Sequence, residues 1–218
     1  MASKPKFSEA GTLEQYRIAL DNVASQSRIA AIMAELGYDA AKIGEGRAIL
    51  NETRQAYELN QTEDDERTAA YADFSSKKEQ LEDIFSMHRK KAKVIFRKDP
   101  VTAEELAVSG AKPRTYMRWL EAVKKFYGIA SADTVIQSKL ASLRISVDDL
   151  NVAMAMITDV EAARSNYLRE KGESQDATKI KDAAFAKIDD WMSEFYAVAR
   201  IGLEDNPQLL EALGKVVR

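Results

Sequence analysis

One histidine and no cysteine limit the chemistry open to this 218-residue chain. Without cysteine there is no disulfide, thiolate metal site or cysteine nucleophile. A Ser-His-Asp triad would have to use His88, and so would a b-type haem, with a methionine as its other axial ligand. His88 is spaced from Phe85 and Ala92 as along a helix seam, however, which favours an imidazole packed in or beside the core. We therefore predict a protein that is not an enzyme, with no cofactor and no metal, and keep haem or small-molecule binding in a bundle core as an alternative.

The acidic clusters do not have the spacing of metal ligands. Residues 63–66 are four consecutive carboxylates, which would radiate around a helix axis instead of converging on an ion. Asp148-Asp149 would open a helix, where negative charge suits the helix dipole. The sequence favours solvated helix surface for both clusters.

A basic segment is the most suggestive feature of the charge pattern. Between His88 and Lys125 eleven basic residues face four acidic ones, a local balance of +7 in a chain whose net charge is −3. The candidate polyanion or partner surface comprises Arg89, Lys90, Lys91, Lys93, Arg97, Lys98, Lys112, Arg114 and Arg118. Aromatic residues interleave the segment, a combination that nucleic-acid binders use. A structural interpretation competes, because basic residues also complement a helix C-terminus and such aromatics are often core.

The chain matches itself at an offset of 107 residues, without a gap, from residue 12 to residue 110. Matching pairs include Leu13 with Leu120, Ala34 with Ala141, Asp83 with Asp190, Ala92 with Ala199, Pro100 with Pro207 and Leu106 with Leu213. This period is too long for a solenoid and predicts a duplicated helical unit. We expect repeat 1 at 12–110 and repeat 2 at 111–218, forming one pseudo-two-fold structural domain after a disordered N-terminus at 1–11.

The elements that must position these residues are helices throughout. Apolar residues recur every three to four positions, and no run has the alternation of a strand. In each repeat we expect a shorter helix (12–36 and 115–143), a long one (39–98 and 146–204) and a third short one (102–109 and 207–213). Asp39 and Ser146 stand at N-cap positions, and a proline follows each long helix.

The middle of each long helical stretch is polar, at 60–67 and at 168–181, which leaves two architectures open. Turns at these places would give a compact up-down helical bundle. The apolar phase survives the first polar segment, however, since steps of three and four from Ile43 reach Tyr71 and Leu81. We therefore favour an all-α fold of two long antiparallel helices, coiled-coil-like in pattern, with shorter helices packed at the ends.

The C-terminal stretch from Trp191 to Gly214, WMSEFYAVARIGLEDNPQLLEALG, resembles the end of a family of all-helical, internally duplicated bacterial proteins with no assigned function. Gly37-Tyr38 near the first long helix resembles a recurring pair in the same family. The resemblance implies a bacterial origin and a helical fold. Its motifs concern packing, so it implies no active-site residue, cofactor or substrate.

Taken together, the residues favour a non-enzymatic helical scaffold or protein-interaction module, acting on an unknown protein partner or by self-association. Polyanion or nucleic-acid binding through the 88–125 region is the alternative. No run approaches the roughly 20 apolar residues of a membrane span, and no hydrophobic stretch follows the N-terminal lysines. We therefore expect a cytoplasmic protein that does not contact membranes.

Overall fold

The computed structural model describes residues 7–214, and this part of the chain is all-α, as predicted. Helices make up 84% of the structure, and no strand occurs among the described residues. The helices are α1 (Glu9–Ser25), α2 (Ser27–Glu35), α3 (Ala40–Ile95), α4 (Pro100–Glu105), α5 (Tyr116–Ala132), α6 (Thr134–Ala141), α7 (Val147–Gly202) and α8 (Gln208–Ala212). Among the described residues, no helix is both long enough and apolar enough to cross a bilayer.

Both long helices are continuous, so the alternative with turns at 60–67 and 168–181 is wrong. α3 and α7 each have 56 residues and pass through these polar segments without interruption. The polar side chains find hydrogen-bond partners on the facing helix. Asn60 Nδ2 donates to Thr178 Oγ1 at 3.1 Å, and Ser174 Oγ donates to Asp64 Oδ1 at 2.7 Å. A polar centre is therefore compatible with two helices that pack together.

The ends of the long helices follow the predicted signals. Asp39 accepts from the backbone N–H of Lys42 at 2.9 Å, and Ser146 Oγ accepts from the N–H of Asp149 at 3.1 Å. These bonds satisfy N–H groups that the first turn of a helix leaves without a partner. The third short helices occur at 100–105 and 208–212, a few residues from the predicted bounds.

The shorter helices differ from prediction, because each is divided in two. α1 and α2 are separated at Gln26, and α5 and α6 at Asp133, where both residues are extended, with φ/ψ of −98°/102° and −116°/112°. Neither glycine nor proline marks these breaks. Asp133 Oδ1 accepts from the N–H groups of Val135 and Ile136 at 2.7 and 3.1 Å, which restarts the helix as an N-cap.

The N-terminal prediction is corrected in part. Of the predicted disordered residues 1–11, residues 1–6 lie outside the described part of the chain. Residues 9–11 belong to α1, whose N-cap Ser8 accepts from the N–H of Gly11 at 3.2 Å.

The helix bounds of the second half repeat those of the first. Adding 107 to the bounds of α1 and α3 gives the bounds of α5 and α7, and the ends of α2 and α4 agree to within one residue. Gln26 and Asp133 are also 107 residues apart.

The chain forms two compact units, and each draws on both predicted repeats. Unit 1 comprises Met1–Asp64 and Glu173–Arg218, and unit 2 comprises Asp65–Gly172. In unit 1, α3 and α7 run antiparallel: Thr53 Oγ1 donates to the carbonyl of Ala184 at 3.1 Å, seven residues before the Asn60–Thr178 bond. Its core includes Leu20, Ile29, Met33, Ile188, Met192 and Phe195, all fully buried.

Unit 2 has its own core, built from the second part of α3, the first part of α7, and α4 to α6. Here too α3 and α7 are antiparallel, with the Tyr71 and Tyr167 rings 5.2 Å apart and the Arg164 guanidinium 5.7 Å from the Phe74 ring. The core includes Leu81, Phe85, Phe126, Tyr127, Leu140 and Leu150. These helices position the whole predicted basic segment, which lies within unit 2.

Candidate functional site

The predicted basic surface is divided between two stretches of unit 2. Residues 89–93 lie on α3 and residues 97 and 98 follow its end, whereas Lys112, Arg114 and Arg118 lie on the α4–α5 connection and on α5. Lys112 forms an ion pair with Glu82 of α3. At 1.5 Å per residue, Glu82 is about 12 Å along α3 from Lys90 and about 22 Å from position 97. The basic residues therefore form two groups along the helix.

Arg89 has a structural role. It is only 7% exposed, and its Nη2 donates to the carbonyls of Ser109 and Gly110 at 3.0 and 3.1 Å. Burial lowers the pKa of this guanidinium from its usual value. At the corresponding position of α7, Tyr196 donates its hydroxyl to the carbonyl of Leu213 at 3.3 Å. Both side chains hold the segment that follows a short helix.

Three of the lysines are also engaged within unit 2. Lys91 Nζ donates to the carbonyl of Arg144 at 3.4 Å, and Lys93 Nζ donates to that of Gly110 at 2.7 Å. Besides its ion pair with Glu82, Lys112 Nζ donates to Ser86 Oγ at 3.0 Å. Together with Arg89, these lysines connect α3 to the loops beside it.

The other five cations are exposed, and no hydrogen bond or ion pair joins them to another described residue. They are Lys90, Arg97, Lys98, Arg114 and Arg118. Lys90, Arg97 and Lys98 flank two exposed apolar side chains of α3, Met87 at 49% and Val94 at 67% exposure. Residues 87, 90 and 94 have the spacing of one helix face. We call these five residues of α3 and its end (Met87, Lys90, Val94, Arg97 and Lys98) the basic face.

The corresponding end of α7 has the opposite charge. The positions 107 residues after those of the basic face are Glu194, Ala197, Ile201, Glu204 and Asp205, all of them exposed. The same sign difference extends to the two units. Unit 1 contains 13 Lys or Arg and 19 Asp or Glu, a net charge of −6, and unit 2 contains 19 and 16, a net charge of +3.

The aromatic residues of the basic segment are core residues. Phe96, Trp119, Phe126 and Tyr127 are at most 2% exposed, and Tyr116 packs against the same core. Bases stack on aromatic rings that face solvent. These buried rings therefore do not offer the stacking surface that single-stranded nucleic acids use.

His88 is packed in the core of unit 2, as the seam pattern predicted. It is 3% exposed, and its Nδ1 lies 3.0 Å from the Tyr127 hydroxyl. Burial lowers the pKa of His88 and raises that of Tyr127, so the pair favours a neutral imidazole and a protonated phenol. The corresponding pair in unit 1, Phe195 and Leu20, is apolar and fully buried. The position thus serves packing in both units.

Sequence reasoning missed two features of the surface. Met87 and Val94 were not identified as exposed, because the apolar positions of α3 were assigned to a wide buried stripe. The second feature is a group of arginines in unit 1, Arg17, Arg47 and Arg54, brought together from α1 and α3. Its only sequence signal is the seven-residue spacing of Arg47 and Arg54 on one helix face.

The resemblance to a bacterial helical family stays a prediction, as do the repeat boundaries. Comparison with protein-family models, curated proteins and solved structures finds no match for this chain.

Proposed function

We propose that this protein is a non-enzymatic helical interaction module that binds an acidic helical segment of a partner protein on its basic face. The observation that carries the proposal is the row formed by Met87, Lys90 and Val94 on the outer surface of α3, followed by Arg97 and Lys98. All five side chains are exposed, and the three cations have no partner among the described residues.

The alternation of apolar and basic side chains supports a protein segment over a uniform polyanion. An amphipathic helix can cover Met87 and Val94 with its apolar stripe and set carboxylates opposite the cations. Full burial of one such apolar side chain is worth roughly 1.5–3 kcal/mol, whereas an exposed ion pair contributes about 0–1 kcal/mol. Nucleic acid would engage the cations but leave the apolar side chains in water.

We further propose that the chain is an internal duplication whose two copies have diverged on their outer faces. The supporting observations are the offset of 107 residues and the agreement of the helix bounds at that offset. Core positions keep apolar residues in both copies, while Arg97 and Lys98 correspond to Glu204 and Asp205. Packing alone does not require this exchange of charge on exposed positions, which is why we assign the basic face to binding.

The test is a binding titration with a defined probe. The probe is a fluorescent synthetic amphipathic helix with leucine on one face and glutamate at the flanking positions, followed by anisotropy at physiological salt. We expect saturable binding that K90E/R97E/K98E abolishes and M87S/V94S weakens. The matched control R114E/R118E/K171E removes the same charge from unit 2 at exposed positions away from the basic face, and should bind within about threefold of the unmodified protein because salt screens charges beyond about 8 Å.

Other outcomes would overturn the proposal. Binding of duplex DNA or heparin in preference to the acidic helix, lost in K90E/R97E/K98E, would replace it with polyanion binding. Concentration-dependent association in light scattering, lost in the same variant, would replace the partner with a second copy of the chain. Equal binding by K90E/R97E/K98E and the control would remove the basic face from the function.

A further inference from the structure

A cleft of unit 1 brings three arginines to one place in a unit that is otherwise acidic. It lies between α1 and the first part of α3 and has a volume of about 300 Å³. Arg17 comes from α1, and Arg47 and Arg54 come from successive turns of one face of α3. Leu20 and Leu50, 0% and 6% exposed, give the cleft an apolar lining.

The carboxylates near the cleft do not neutralise these arginines. Arg17 donates to both oxygens of Glu14, at 2.8 and 2.6 Å, and also to Asp21 at 2.8 Å. Arg47 shares the same Asp21, at 2.9 Å. Arg54 has no hydrogen bond or ion pair with any described residue. Three guanidinium groups therefore face two carboxylates, which leaves one positive charge without a partner.

The corresponding positions of unit 2 provide an internal comparison. The residues 107 positions after Arg17 and Arg54 are Lys124 and Glu161, which form an ion pair at 2.5 Å between α5 and α7. That pair neutralises itself. In unit 1 both positions are cations, and like charges at neighbouring positions are unfavourable. An anion between them would remove this repulsion.

We propose that this cleft is a binding site for a small molecule that carries an oxyanion group, a phosphate or a carboxylate. Guanidinium groups bind both groups through paired N–H donors. The cleft is at the lower end of the 300–1,000 Å³ usual for small-molecule sites, so the ligand is small, with a short apolar body against Leu20 and Leu50. The amide of Asn51, which also lines the cleft, can orient it.

The electrostatics of the cleft agree with this site. The hydrogen bond from Arg17 lowers the pKa of Glu14, and the charge of Arg54 acts in the same direction. The positive field of Arg54 is therefore felt across the cleft on α1. An entering anion would experience the same field.

The experiment is isothermal titration calorimetry of the full chain with pyrophosphate and with citrate. We expect at least one to bind in the micromolar to low millimolar range, and their relative affinity distinguishes a phosphate ligand from a carboxylate one. R54Q should weaken binding about tenfold or more, the size expected for loss of a charge-assisted contact. R17K/R54E places the Lys124–Glu161 pair in unit 1, and should abolish binding while leaving the thermal melting curve as cooperative as that of the unmodified chain.

Two controls separate the cleft from other surfaces. R28Q removes an exposed arginine of α2 that donates to Asn206 outside the cleft, and should bind the anions unchanged. K90E/R97E/K98E should also bind them unchanged, so the outcome does not depend on the basic face. The proposal is overturned if neither anion binds the unmodified chain at millimolar concentration, or if R54Q and R17K/R54E bind as tightly as it does.

Discussion

Replacement of Gly46 by alanine is expected to destabilise unit 1, although alanine is the better helix former. A Cβ at position 46 would lie 2.7 Å from both Cζ2 and Cζ3 of Trp191 and closer still to Cη2. The indole cannot move aside easily, since it stacks on Phe195 and meets Tyr38 edge-on, with both ring centroids 5.6 Å away. The absence of a side chain at Gly46 is therefore what lets α3 approach α7 at this point.

The size of the effect follows from two opposing terms. Glycine to alanine inside a helix gains about 1 kcal/mol, and overpacking a buried ring costs about 1–3 kcal/mol. G46A should therefore lie about 1–3 kcal/mol below the matched control G44A, since a Cβ on Gly44 meets no atom within 4 Å. Urea unfolding followed by circular dichroism measures this difference in the free energy of unfolding.

A double-mutant cycle tests the mechanism itself. The positions corresponding to Gly46 and Trp191 are Ala153 and Ile84, so the other copy has a larger residue where its partner is smaller. In a W191I background G46A should become stabilising by up to about 1 kcal/mol, because only the helix propensity term remains. An equal effect of G46A in both backgrounds would refute the clash with Trp191 as the cause.

Two further predictions concern His88 and the paired helix breaks. Burial lowers the pKa of His88 below that of the unfolded chain, so the unfolded state takes up the proton first and stability should fall as pH decreases from about 7 to 5. H88F should remove this slope in urea unfolding followed by Trp119 fluorescence in a W191F background, and an unchanged slope would contradict the assignment. At the helix breaks, D133A should lose about 1 kcal/mol of stability by removing the α6 N-cap, while Q26D should gain about 0.5–1 kcal/mol, because Gln26 makes no side-chain cap bond to α2. The signs of the two unfolding free-energy changes are the readout, and a loss in Q26D would show that the extended backbone at Gln26 does not present a cap site.

The long helices could be predicted from sequence because their signals are local. An N-cap residue, a three-to-four apolar period and a terminal proline placed 39–98 and 146–204 within a few residues of α3 and α7. The helix breaks could not be predicted, since Gln26 is not a strong helix breaker and its conformation is set by the packing of α1 and α2.

The candidate surface was predictable in composition but not in detail. Lysines and arginines are read directly from the sequence, yet the bonds from Arg89 to carbonyls 20 and 21 residues away depend on the path of the chain after α4. The same holds for the cleft arginines, because Arg17 and Arg54 meet only once α1 packs on α3. Spacing along the chain carries no information about such contacts.

The most direct test of the proposed function is a methyl spectrum of the protein labelled on its seven methionines, recorded while the acidic helix is added. Met87 belongs to the basic face, whereas Met33 and Met192 are fully buried in unit 1 and report on the rest of the fold. We predict that the Met87 signal, assigned with M87L, shifts to saturation along the anisotropy curve while those of Met33 and Met192 stay in place. A Met87 signal that does not move at saturating peptide would contradict the assignment of the basic face as the binding site.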